Sequence, residues 1–349
     1  MAGNLGATEA YDALLSTTLK NYTPRIEDNI FSNLPLLYWL KEAGHIEKVS
    51  GGEKIVEPLM YGVNTTTAAY SGYDNISTIP QEGITAAVFE WRQYAVSVAI
   101  SGIEEAKNRG QEQVVSLLKA KIDQAEMSLQ EAMNQMFYGA ASATGKDWNG
   151  LANFIAPSTA TAQTASTVSD TNVDTLFGGI TDSVALGNAW WKNKAFSFGS
   201  AAGTSTTTTL LQAMSKLYND CSKGKTRPEF ILTGQTPWEQ YESVLQPQLR
   251  YQSTKTADAG FENLLYKSAP IVWDDDCVAN GTGEKMYFLN SKFMKLKVHA
   301  DVWLKSTPFE KPHGQDARYS QILSYGNLTA NNRRHFGVLS YPEKAKAPA

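Results

Sequence analysis

The sequence predicts an α+β fold, and three observations carry that prediction. One uninterrupted helical pattern runs from Gln111 to Tyr138. Strand-like alternation lies on both sides of it, in 46–101 and again towards the C-terminal end. No internal repeat orders the chain as a solenoid, and the strands fall towards both ends of the chain with helices between them.

The helix is the element around which the rest is arranged. Val114, Leu118, Ile122, Ala125, Leu129, Ala132 and Met136 recur at steps of three and four, which places them on one face. Lys119, Lys121, Asp123, Glu126, Gln130 and Glu131 form the polar remainder, and Gly139 follows at a C′ position. At 1.5 Å per residue the rod is about 42 Å long, and its apolar stripe needs a sheet to cover it.

The segments before the helix are of two kinds. Residues 1–45 hold a weak helical pattern over Ala10–Leu19 and a short helix around Pro35, stopped by Gly44. That is too little apolar material for a core, so the segment reads as an arm. From 46 to 101 the pattern is β, and the simplest arrangement is a long two-stranded ribbon with a broad tip between Tyr61 and Gly83. Phe89 and Trp91 share one parity; Tyr94, Val96, Val98 and Ile100 share the other. The switch near Arg92 predicts either a bulge or a passage between two environments. A two-stranded ribbon is marginal in water by itself and needs its own body or a neighbour to lie on.

After the helix, 156–170 is of low complexity. The Trp190–Trp191 pair then anchors a β segment, and Leu210, Leu211, Met214, Leu217 and Tyr218 recur as a helix stopped by Gly224. PEFILTG reads as a buried strand, and TPWEQYESVLQ as a helix with Thr236 at the N-cap, Pro237 at N1 and Glu239 at N3. Strands in APIVWDDD, KMYFLN, KLKVHADVWLK and the final 319–342 stretch complete the pattern, with 280–283 as a turn.

Composition excludes several classes. The net charge of −4 lacks the basic footprint of a general nucleic-acid binder. Two cysteines, Cys221 and Cys277, make no disulfide framework. No apolar run is long enough to span a membrane, and MAGNLGATEAYD has no signal-peptide pattern.

Candidate chemistry is equally thin. Gly224-Lys225-Thr226 would need a glycine where Asn219 stands to make a phosphate loop. Asp274-Asp275-Asp276 lacks the pattern of a calcium loop and reads as a solvated turn. His45, His299, His313 and His335 are scattered, with no metal or general-base spacing. Arg333, Arg334 and His335 form a compact basic cluster, which suits phosphate but is more commonly a turn flanked by surface charge. No catalytic, cofactor or metal residues are assigned, and no cofactor is expected.

The order of parts is similar to that of the Hong Kong 97-type major capsid proteins of tailed bacteriophages. Local wording adds to it: Trp190-Trp191-Lys192-Asn193, PEFILTGQTPWEQYESVLQPQLRY, GFENLLYKSAPIVWDDD, MYFLN at 286–290 and GNLTANNRRHFGVL. The resemblance implies a structural, non-enzymatic shell subunit. It divides the chain into an N-terminal arm (1–45), an E-loop hairpin (46–101), a P-domain (102–205, including the spine helix 111–138), an A-domain (206–299), and P-domain return strands with a C-terminal tail (300–349). It implies hexamers and pentamers of an icosahedral head around double-stranded DNA, held by weak contact only. It also implies a separate scaffolding protein, a portal, optional decoration proteins, no membrane, and a place in the virion capsid after assembly in the host bacterial cytoplasm. Some relatives crosslink their subunits; Lys54 lies in the E-loop but the other members have no match, so no crosslink is expected.

On this reading Glu53, Lys54, Glu57, Phe89, Trp91 and Arg92 are the candidate subunit-interface residues, the charged ones setting register and the aromatic ones anchoring the ribbon on a neighbour. Three other readings stay open: an encapsulin-type nanocompartment shell, an α/β enzyme centred on 206–300, and a tail or adhesion protein.

Overall fold

The computed structural model describes residues 34–107, 111–139, 145–157, 176–183, 186–197, 210–245, 263–277 and 284–340. The arm before residue 34, most of the low-complexity segment, the 280–283 turn and the tail after 340 lie outside the described residues. So do the side chains of Val114 and Leu118.

Two sheets and two buried apolar clusters organise the described chain. After helix α1 (Pro35–Glu42), strand β1 (Ile46–Val49) enters a five-stranded sheet rather than the ribbon. There it runs parallel to β12 (Met294–His299), about 250 residues later in the chain. The centre of that sheet is β14 (Ala317–Ala330), which pairs with β12, with the short β13 (Lys305–Ser306), and with β4 (Arg92–Ser101) over the whole length of β4. The ribbon consists of β2 (Ile55–Met60) and β3 (Ile84–Phe89), antiparallel from Ile55↔Phe89 to Met60↔Ile84. Residues 61–83 form its tip, as expected. The parity switch near Arg92 is therefore a passage between environments: β3 belongs to the ribbon and β4 to the sheet, with only Glu90 and Trp91 between them.

Helix α2 (Gly102–Lys107) leads to the long helix α3, Gln111–Tyr138. Ile122, Ala125, Leu129 and Met136 are buried as the spacing predicts. Met133, Phe137 and Tyr138 join them, while Ala132 is only half-buried. The buried arc widens towards the C-terminal end because the helix meets two partners there. One is the β4 sheet; the other is the turn after β10 (Ala269–Trp273). Asp274 in that turn is buried, not solvated as expected. Asn134 Nδ2 donates to Asp274 Oδ1 (3.0 Å) and to Asp276 Oδ2 (2.7 Å), and the Tyr138 hydroxyl donates to Asp274 Oδ2 (2.9 Å). Burial pushes the Asp274 carboxyl above its usual range against the pull of these donors, and burial also raises the Tyr138 hydroxyl. Glu126, placed by the sequence on the polar side, is likewise buried.

Past the short helix α4 (Leu151–Phe154) and the two-residue strands β5 (Leu176–Phe177) and β6 (Ile180–Thr181), the chain builds the six-stranded sheet. Its order is β7 (Lys194–Ser197), β15 (Gly337–Ser340), β11 (Lys285–Leu289), β8 (Phe230–Thr233), β10, β9 (Asn263–Tyr266). Helices α5 (Leu210–Cys221) and α6 (Gln235–Leu245) pack on it. Sheet membership thus cuts across the boundaries at 205 and 299: β7 and β15 join the six-stranded sheet, and β12 joins the five-stranded one. The N-terminus of α6 is held differently from the expected Thr236 cap. Glu284, a residue distant in sequence, accepts from the Thr236 N–H (2.7 Å) and hydroxyl (2.6 Å), and so places a carboxylate at the positive end of the helix.

The cluster expected at a charged surface turn is mostly interior. Arg333 is fully buried and His335 is buried, and only Arg334 is exposed. The His335 ring stacks on Phe293 (4.4 Å between centroids), and its Nδ1 lies 2.9 Å from the Cys221 carbonyl. Burial lowers its pKa, with the Cys221 contact opposing. A depressed histidine contributes stability that is present above the unfolded-state pKa of about 6.5 and is lost as pH falls through the folded value. The melting temperature is therefore expected to drop as pH is lowered from 6.5, and His335→Gln to flatten that slope in a thermal-melt series.

Candidate assembly surface

Among the described residues, the ribbon and its tip carry the largest group of exposed apolar side chains. Ile55, Leu59, Ala87 and Phe89 point inward and are buried. On the other parity, Met60 is 83% and Ile84 75% exposed. Beyond them Val63, Tyr70, Tyr73, Ile76 and Ile79 are all exposed in the tip, Tyr73 fully. Polar contacts within the tip, such as Thr65 to Gln81 and Ser71 N to Asp74, help to shape it. Residues 55–91 contain no Lys or Arg, and Glu57, Asp74, Glu82 and Glu90 make the segment acidic. Monomeric proteins seldom leave so many large apolar side chains adjacent on one projection.

The root of the ribbon is tied in three ways. Two cross-links join its two linkers: Trp91 Nε1 donates to Gly52 O (2.8 Å), and Lys54 Nζ pairs with Glu90 Oε1 (2.8 Å). On one side, Lys297 of β12 meets Glu57 Oε1 at 2.7 Å, and the Thr329 hydroxyl reaches the same oxygen (3.2 Å). On the other side, Val88 N donates to Gly178 O (2.9 Å), and Phe89 meets Phe177 edge-on (4.9 Å). Gly178 is required there, since a Cβ would lie 2.7 Å from the Ala87 Cβ, and its φ of +63° suits glycine. Tyr61, at the start of the tip, stacks on Trp190 (4.8 Å).

The six candidate interface residues are therefore placed as follows. Glu53 is exposed, and Lys54 is held by Glu90. Trp91 is half-buried, its ring edge-on to His299 (5.6 Å), and Arg92 is half-buried beside Gly145. Glu57 and Phe89 are buried against their own chain. Sequence reasoning missed Lys297, Trp190 and Gly178 as the other halves of these contacts. For Lys297 a signal exists in the alternation of Lys295 and Lys297 with Leu296 and Val298. Among the described residues no group of His, Cys, Asp and Glu is arranged to hold a metal, and no helix is long and apolar enough to cross a membrane.

No family model matches the chain, and no curated protein matches it. Solved structures do. The capsid asymmetric unit of cyanophage A-1(L) aligns with a TM-score of 0.57 at 16% identity, over 85% of this chain and 90% of that one. The capsid of Myoviridae phage XM1 aligns at 0.52 and 11% identity, over 86% and 90%. The holo-SrpI encapsulin complex from Synechococcus elongatus aligns at 0.50 and 12% identity, over 89% and 90%. The chain has the fold of these capsid and encapsulin shells, with the resemblance to the Hong Kong 97-type fold extending over most of its length.

Proposed function

We propose that this chain is the major structural subunit of a tailed-phage head. It assembles through its ribbon into hexamers and pentamers of an icosahedral shell around double-stranded DNA. The observation that carries the reading is the acidic tip 61–83, where Val63, Tyr70, Tyr73, Ile76 and Ile79 are exposed among the described residues. A contact of this kind, repeated head-to-tail, closes a ring by rotation. Each subunit gains burial only by meeting a neighbour, which makes assembly cooperative. On this reading Glu53, Lys54 and Arg92 at the ribbon root set register with that neighbour and Trp91 anchors on it, while Glu57 and Phe89, buried in the protomer, hold the ribbon in place. The net charge of −4 suits a wall that confines DNA without gripping it. Partners on this reading are a scaffolding protein, a portal and optional decoration proteins, and the location is the virion, assembled in the host bacterial cytoplasm. The role is structural, not catalytic.

The test is negative-stain microscopy of purified protein, alone and with a scaffold. Closed shells of regular diameter are expected. The triple variant Tyr73→Ser/Ile76→Ser/Ile79→Ser is expected to abolish them while shifting the melting temperature of the unassembled protein by no more than about 2 °C, since exposed substitutions cost little. Shells formed at normal yield by that variant would overturn the reading.

The fold shared with an encapsulin supports a second reading, a protein-filled compartment. Nucleic acid inside purified particles favours the phage head, and a protein cargo with no nucleic acid favours the compartment.

A further inference from the structure

We infer that Lys297 is a two-position catch for the ribbon, holding Glu57 while the ribbon is seated and passing to Glu47 when it lifts. Four charges meet at this spot from three strands. Glu57 comes from the ribbon (β2), Glu47 from β1, and Lys295 and Lys297 from β12. Lys297 Nζ lies 2.7 Å from Glu57 Oε1 and 3.8 Å from Glu47 Oε2. Glu47 Oε2 is meanwhile engaged by Lys295 at 3.3 Å. The Glu57 and Lys297 side chains are 7% and 10% exposed, whereas Glu47 and Lys295 are 47% and 35% exposed.

A buried ion pair broken from one side leaves an unpaired charge, and that penalty normally makes such a pair an all-or-none lock. Here the lock is softened. Lys297 belongs to the fixed sheet and already has a second carboxylate within reach. Lifting Glu57 out opens the site to water and transfers Lys297 to Glu47, which was shared with Lys295. The body is left with two ammoniums around one carboxylate, in a site exposed enough to be screened. Thr329 completes the seat: its hydroxyl stands 3.2 Å from both Glu57 Oε1 and the Lys295 carbonyl, so it has a second acceptor when Glu57 leaves.

The linkers permit the movement. Gly51 and Gly52, between β1 and β2, have φ of +144° and +125°, a region closed to most side chains, and a Cβ on Gly51 would meet nothing within 4 Å. Glycine is needed there for backbone freedom, not for space. The second linker is the Glu90–Trp91 pair, and the Trp91–Gly52 and Lys54–Glu90 cross-links hold the two linkers together so that they can turn as one.

This goes beyond the shell reading and concerns the free protomer, so its failure would leave that reading standing. The experiment is hydrogen exchange on the unassembled protein with two partly exposed substitutions that do not threaten the core. Glu47→Gln removes the acceptor of the lifted state, and the ribbon amide of Val88, which Gly178 O holds while the ribbon is seated, is expected to exchange about threefold more slowly. Lys295→Gln frees Glu47 to take Lys297, and the same amide is expected to exchange about threefold faster. Amides of β12 and β14 should stay unchanged in both. The proposal is overturned if the two variants move ribbon exchange in the same direction, if neither moves it, or if β12 and β14 change along with the ribbon.

Discussion

Replacing Arg333 by Met is expected to destabilise the protein by about 3–5 kcal/mol, the usual cost of removing one member of a buried ion pair. Arg333 and Asp182 are both 0% exposed, with Nη1 2.8 Å from Oδ2. Arg333 Nε donates to the Phe154 carbonyl (2.8 Å), and the guanidinium lies beside the stacked Phe177 and Trp191 rings, 5.8 and 5.9 Å from their centroids. Burial lowers the guanidinium to about 10, against the opposing pull of Asp182, so it stays charged at neutral pH. The pair ties the turn before β15 to the segment after β6 and to the end of α4, three regions remote in sequence. Asp182→Ala is expected to cost a similar amount. The double variant Arg333→Met/Asp182→Leu should recover most of it, because an apolar pair of similar volume leaves no orphaned charge. Urea unfolding of the three variants measures this. If the double variant is as weak as the singles, packing around the site rather than charge is what matters.

Gly150→Ala is the second large effect, at about 3 kcal/mol or more, at the upper end for overpacking. The backbone at Gly150 (φ −95°, ψ 172°) is open to any residue. The obstacle is what a Cβ would meet: the carbonyl oxygens of Gly139 and Met136 within bonding-type distances, and that of Phe137 at 3.0 Å. These are backbone atoms at the C-terminal end of the long helix, which cannot swing aside as a flexible side chain would. The methyl would push α4 off the helix end and loosen the contact between Phe137 and Trp148 (6.1 Å). A thermal melt reads the loss. Gly145→Ala, where a Cβ would meet only the Arg92 guanidinium at 3.6 Å, is the milder control, its cost arising from a φ of +64°.

Some of this was legible in the sequence and some was not, for identifiable reasons. The long helix was readable to its ends because 28 residues of one period outvote any local ambiguity. The ribbon and its tip were readable because alternation broke at Tyr61 and resumed at Ile84. The partners of single polar residues were not. Asp274, Arg333 and Glu57 all look like surface residues by type; each is buried because something far along the chain meets it: Tyr138 and Asn134, Asp182, and Lys297. Pattern within a window cannot show a contact 140 residues away. The same holds for β1, whose four residues look like the foot of the ribbon but find a parallel partner in β12. For the candidate assembly residues, charge and aromaticity drew attention to the root of the ribbon, and the exposed apolar side chains of the Thr- and Gly-rich tip carry no such mark.

The short step from β3 into β4 has a mechanical consequence. Only Glu90 and Trp91 separate the ribbon from a strand registered against β14 at ten successive positions, Arg92↔Gly326 to Ser101↔Ala317. A pull directed along β4 would load those rungs together in shear instead of peeling them one at a time. If the proposed shell forms, internal pressure on it would be resisted through the combined strength of that ladder.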